Sequence, residues 1–318
     1  MHARIRLCGP KNKPKMVFGL FNNNSIDDHS NDQSLNLIEE EEKQFNTIKR
    51  LHFWAMIFMG VQFIAYCGAS ATVEARTIAS VAFQDDKGRG DDWCTGALSC
   101  EANTKSLGKI DVIFTIPLFV GLAALDHIIC YYIISKYPEV AKNWLFVKQS
   151  NPIRWIEYSL SASTMAWALA ALCRITDVHL WFLIFISTSV GMLCGWVLEL
   201  LPLPNSEKER MWPMPISCSV IRLLVYVIGC ITVFTPWLVL CCYFFNAATN
   251  SSSMPDFVYA AFLLTLFFFT TFGANSLFTH IYGYQTFARA EMIYIILSFT
   301  SKTFLAADVF GGLAAADD

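Results

Sequence analysis

The stretch Tyr294–Gly312 reads YIILSFTSKTFLAADVFGG, and it sets one lysine, Lys302, about halfway along a largely apolar run. A helix of about 20 residues crosses the hydrocarbon core of a bilayer. A lysine near the end of such a helix reaches back to the interface with its long stem, and one at the centre does so poorly. Charges at that depth are costly and usually functional. Two readings of Lys302 follow. It is a structural cation paired with a carboxylate of a neighbouring helix, or it is an amine that joins an aldehyde as an imine. Desolvation favours the neutral amine that imine formation needs.

The rest of the chain fits a membrane setting. Its 318 residues are 55% hydrophobic and 15% charged, with a mean hydropathy of +0.43. Soluble domains carry about 25% charged residues, so too little polar surface is present to coat a water-soluble globule. A net charge of −3 argues against nucleic acid as a partner. No zinc-ligand spacing, phosphate-binding loop or dinucleotide fingerprint occurs.

Seven apolar blocks reach spanning length, at about 50–72, 110–135, 152–174, 178–201, 217–245, 255–282 and 289–313. They predict an all-α membrane protein, a seven-transmembrane-helix domain over 43–318 that contacts the lipid bilayer. Residues 1–42 contain the aperiodic run FNNNSIDDHSNDQS and the acidic run Glu39 to Glu42, and read as a disordered cytoplasmic tail. Seven spans place the termini on opposite faces. Lys43, Lys49 and Arg50 before the first span, and Lys136, Lys142, Lys148 and Arg154 between the second and third, favour a cytoplasmic N-terminus and an extracellular C-terminus. The first connection, also rich in Lys and Arg, runs against that bias. It is long and is expected to form a small β-hairpin outside. It carries Cys94 and Cys100, close enough in CTGALSC to bridge in an oxidising compartment. Asn250-Ser251-Ser252 is a glycosylation sequon on the same face.

An imine that stays protonated in a low-dielectric site needs an anion. Glu157, in RWIEYSLSAS of the third span, is the best choice, against the alternative of an interfacial Glu paired with Arg154. Ser298 lies four residues before Lys302 on the same helix face, where its hydroxyl reaches either the amine or its own helix carbonyl.

RWIEYSLSAS, GWVLEL at the end of the fourth span, PW in the fifth and LSxxxK in the seventh together resemble the heliorhodopsin family, over about residues 45–313. The resemblance implies a rhodopsin-like bundle with all-trans retinal covalently bound to Lys302, Glu157 as counterion and Ser298 hydrogen-bonded beside them. It pairs Glu199 with the family carboxylate at the end of the fourth span, and His127 with a histidine lining a polar cavity of the second. The alternatives are an interfacial glutamate and a satisfied core histidine. It also implies a homodimer through the fourth and fifth helices, reached by the long first loop. One family feature lacks a counterpart: the histidine of the first span, since His52 reads as too near the helix start and Gln62 occupies the interior.

Asp126 and Asp308 are acids beyond the family pattern, and with Glu199 they form a proton-network set or, alternatively, simply face polar cavities. Tyr158, Met192, Trp237, Phe268 and Phe272 are chosen to line the slot that a polyene needs. Gly191 and Gly195 form a GxxxG pattern that lets helices approach or makes room for a ring. The function expected is non-enzymatic light sensing by photoisomerisation of a protonated retinal Schiff base, with an unknown cytoplasmic signalling partner. The alternatives are light-gated proton conduction and a seven-helix receptor or transporter without retinal.

Overall fold

The structure is a computed structural model that describes residues 28–71, 76–83, 103–204, 206–250 and 254–317. The chain divides into two units, Met1–Glu41 and Glu42–Asp318. Among the described residues seven helices have 21 residues or more: α1 Asp28–Ala69, α2 Thr115–Lys136, α3 Pro152–Leu172, α4 Val178–Leu200, α5 Cys218–Asn250, α6 Asp256–Ser276 and α7 Phe287–Asp317.

The first helix corrects the reading of the N-terminal segment. Residues from Asp28 onward, taken as tail up to Glu42, are already helical. The reason lies in composition: SLNLIEEEEKQ is rich in good helix formers, and Asn46 donates to Glu42 four residues back. Glu42 also pairs with Lys142 beyond α2, at 2.6 Å.

Among the described residues six helices are long and apolar enough to cross a membrane: Leu35–Ala69, Val112–Lys136, Val178–Leu200, Cys218–Thr249, Asp256–Ile281 and Phe287–Ala315. The third expected span, α3, falls outside this set because it carries Arg154, Glu157, Tyr158, Ser159, Ser161, Ser163 and Thr164. All of these are buried, and α3 packs against α2, α4 and α6. A helix surrounded by protein meets little lipid and does not need an apolar surface all round.

The start of α3 is fixed locally. Pro152 occupies the first turn, where a missing N–H costs nothing, and the Asn151 side chain accepts from the Arg154 N–H. Asp177 caps α4 the same way, accepting from His179 and Leu180. Strands β1 Arg76–Phe83 and β2 Asn103–Asp111 pair antiparallel, with Arg76 opposite Asp111. A register shift at Ala79/Ser80 is matched by Gly108 at φ 143°, a conformation that favours glycine. The joining residues, Cys94 and Cys100 among them, lie outside the described residues, as do Ser251 and Ser252 of the sequon.

The Glu42–Asp318 interior has two contrasting halves. Where α3 ends and α7 continues past Lys302, Ile116, Phe119, Met165, Leu169, Leu305 and Val309 share one large apolar cluster with Trp237 and Phe262. At the opposite ends of the same helices buried charged and polar side chains join the packing: Arg154, Glu157, Glu291 and Ser298.

Candidate functional site

Lys302 lies at the junction of these halves, with 3% of its surface exposed. Its Nζ donates to Ser298 Oγ at 2.7 Å, and Glu157 Oε1 stands 3.2 Å away. The Tyr158 ring faces the same amine, 5.0 Å from its centroid. Tyr158 is held in turn by its hydroxyl, which donates to the Tyr294 carbonyl at 3.0 Å. Glu157 Oε1 accepts no hydrogen bond among the described residues. A buried amine and a buried carboxylate thus meet with hydrogen-bonding capacity to spare.

Glu157 does not pair with Arg154. Arg154 is itself buried rather than a loop cation, and it pairs with two carboxylates, Glu199 and Glu291. Asn151 knits the group together: its backbone N–H donates to Glu199 Oε2 at 2.9 Å, and its side-chain amide donates to Glu291 Oε1 at 2.8 Å. Sequence reasoning passed over Glu291 in FARAEMIY, although an acid just inside an apolar span is itself a signal.

His52 must also be moved. It is buried inside α1, and its Nδ1 lies 3.1 Å from His127 Nδ1. It read as too near a helix start only because α1 was begun too late. Asp126 joins the pair through Oδ2, 3.4 Å from His127 Nδ1. Gln62 exchanges hydrogen bonds with Thr303 instead. Asp308 lies on α7 beyond Lys302; its Oδ2 is buried without a hydrogen bond among the described residues, and no contact joins it to the other acids.

A narrow cavity opens at Lys302. Tyr158, Met192, Phe268 and Phe272 line it. Ser161, Ala162, Met165, Phe269 and Ser301 line it too and were not foreseen, because a straight helix offers several faces and the sequence does not say which one turns inward. Trp237 is not in this lining; it packs behind Phe269, edge-on at 5.3 Å. A second cavity continues from Met192, Phe269 and Phe272 to Gly191, Gly195 and Gly229. The glycines serve close packing. A Cβ at Gly195 would overlap the Trp155 ring, and one at Gly191 would collide with Val233 and stand 3.2 Å from the Gly229 carbonyl.

Apolar helices around a buried lysine that faces a carboxylate, above an aromatic cavity, define the rhodopsin class of membrane bundles. The solved structures agree on fold. The transmembrane domain of Salpingoeca rosetta rhodopsin phosphodiesterase is similar at a TM-score of 0.50 and 12% identity, covering 91% of this chain and 90% of its own. The family profile described as Heliorhodopsin matches residues 48–314, and the chain belongs to that family. It is an integral multi-pass membrane protein of a retinal-binding, light-sensing family. No curated protein matches the chain. The site fits the chromophore: the cavity wall is apolar and aromatic, as a polyene requires, and Lys302 forms part of that wall.

Proposed function

We propose that this chain is a light sensor that holds all-trans retinal as an imine on Lys302, with Glu157 as counterion and Ser298 as hydrogen-bond partner. One observation carries the reading: the Lys302 amine lies at a buried, aromatic-lined cavity with Glu157 at 3.2 Å and Ser298 at 2.7 Å. When bound, retinal supplies light absorption and isomerisation. The chain's own residues do the rest. Glu157 balances the positive charge in a site where an unpaired charge is very costly. Ser298 fixes the amine's direction. Tyr158 and Phe272, edge-on at 5.3 Å, wall the slot and exclude water. Movement of a proton between Lys302 and Glu157 changes the charge seen by both, since each partner's affinity depends on the other. That change biases helix positions and is the signal.

In this reading the chain crosses the membrane seven times, α3 being the buried seventh crossing. The N-terminus is cytoplasmic, and the chain pairs with a second copy through α4 and α5.

The test is reconstitution with all-trans retinal followed by an acid titration of the visible band. The expected result is a band that is absent in Lys302→Ala and that shifts to longer wavelength on acidification, a shift missing in Glu157→Gln. A chain that stays colourless with retinal, or a band that survives Lys302→Ala, overturns the reading in favour of a receptor or transporter without retinal.

A second reading, light-gated proton conduction, has one supporting observation. Asp126, Glu157, Glu199 and Glu291 are all buried in the polar half of the bundle, and an open cleft beside Lys148, Gln149 and Lys208 reaches Glu199.

A further inference from the structure

We infer that His52, Asp126 and His127 form a binding site for a divalent transition-metal ion, with zinc(II) the best match to the donor set. This goes beyond light sensing and does not depend on retinal. His52 comes from α1, while Asp126 and His127 are neighbours on α2. One ligand atom from each lies within 4.8 Å of the others. The closest approaches are 3.1 Å between the two Nδ1 atoms and 3.4 Å from Asp126 Oδ2 to His127 Nδ1. Zinc–donor bonds of about 2.0–2.2 Å in a tetrahedral site place two donors roughly 3.2–3.6 Å apart. Two of the three donor pairs therefore stand near the spacing that the ion imposes, and the third lies within 4.8 Å.

The donor types agree. Two imidazoles and one carboxylate are a zinc set with a fourth position to fill. Cys130 lies one turn after Asp126 and places its Sγ 3.6 Å from Asp126 Oδ1. Its thiol donates to Asp126 and holds that carboxylate beside the two histidines.

Charge balance points the same way. Apart from Arg222, which pairs with Glu209, the polar half buries four carboxylates (Asp126, Glu157, Glu199 and Glu291) against Arg154 and Lys302. Buried excess charge is costly. A single divalent cation beside Asp126 removes an excess of two negative charges. The competing solution is protonation of two acids, and the experiment separates the two. Access exists as well. A small cavity between α1, α2 and the α2–α3 connection is lined by His52, Cys130, Trp144, Asn151 and Glu291. Asp126 also lies outside what the family pattern supplies, so the complete set is a property of this chain.

The test uses the full-length, tag-free chain in detergent, dialysed to equilibrium against zinc(II), with bound metal measured per chain. The expected result is one tightly held zinc. Its affinity falls by more than about tenfold, a loss that even an outer-shell partner of a metal site causes, in each of His52→Gln, His127→Gln and Asp126→Asn. It is unchanged in His179→Gln, which alters the exposed His179–Asp177 pair. Zinc raises the unfolding temperature of the wild type and not of the three variants. Should a variant fail to fold, zinc-edge X-ray absorption of the wild type decides, with imidazole scattering expected. Absence of stoichiometric zinc, full retention of it in all three variants, or a spectrum without imidazole overturns the inference and leaves protonation as the way the excess charge is balanced.

Discussion

Arg154 and Glu157 lie three residues apart on α3, nearly one turn, yet they take different partners: Arg154 binds Glu199 and Glu291, and Glu157 faces Lys302. Spacing alone would have paired them with each other. Tertiary packing decides otherwise, because two carboxylates on α4 and α7 already satisfy the guanidinium. Glu157 is thereby left without competition for the amine. The arrangement makes two charge sites of one helix turn. One is structural and the other is free to respond when the charge on Lys302 changes.

Removing the negative charge at Glu157 therefore acts on the chromophore site first. With retinal bound, Glu157→Gln is expected to shift the visible band to longer wavelength at neutral pH and to abolish the acid-induced shift. Absorption spectra across a pH series check this. A neutral-pH band identical to that of the wild type would mean that another group balances the amine.

Arg154 calls for the opposite expectation, an effect on stability. Arg154→Met strands Glu199 and Glu291 as buried, unpaired carboxylates, a change that costs about 3–5 kcal/mol. The triple variant Arg154→Met, Glu199→Gln, Glu291→Gln removes the stranded charges along with their partner and recovers most of the loss. Unfolding of the purified variants in detergent measures both. Equal destabilisation of the single and triple variants would assign the role of Arg154 to packing against Tyr294, whose ring centroid is 4.4 Å from its guanidinium carbon.

The sequence made the class of fold and a buried lysine legible, since hydropathy marks apolar helices and flags a charge in the middle of one. The pairing of the charges was not legible. Arg154 looked like a loop cation because it stands one residue after Ile153 at a helix start, and burial there depends on α4 and α7 folding over it. His52 was misplaced because a helix continuing out of an apolar span through Glu-rich sequence has no hydropathy edge. Of the chosen aromatics, Tyr158 and Phe272 line the cavity while Trp237 sits behind it, a difference set by helix rotation that composition does not encode.

Gly195 offers a test of packing at the cavity. A methyl group there overlaps the Trp155 ring, which packs edge-on against Tyr158 at 5.9 Å and Tyr294 at 5.7 Å. Gly195→Ala forces that ring to move, and overpacking of this kind costs about 1–3 kcal/mol. The same displacement reaches Tyr158 and so the Lys302 site. Lower thermal stability together with a shifted visible band is the expected pair of outcomes. Loss of stability with an unmoved band would show that the two cavities are mechanically separate.

Conduction is the reading that the two halves of the interior oppose. The buried acids cluster on one side of Lys302, from Asp126 and Glu157 to Glu199 and Glu291. On the other side α7 enters the apolar cluster through Leu305, Ala306 and Val309, against Ile116, Phe119, Met165 and Leu169. Asp308 lies on that side, and no described contact links it to the polar half. A proton that leaves Lys302 can spread among the acids of one half, but it meets a wall of aliphatic side chains in the other, where an unsolvated charge is very costly. Voltage-clamp recording of the retinal-loaded protein is therefore expected to give at most a brief charge displacement on illumination and no sustained current. A sustained light-driven current that reverses with the proton gradient would show that the apolar half opens, and would make Glu199 and Asp308 the first residues to replace.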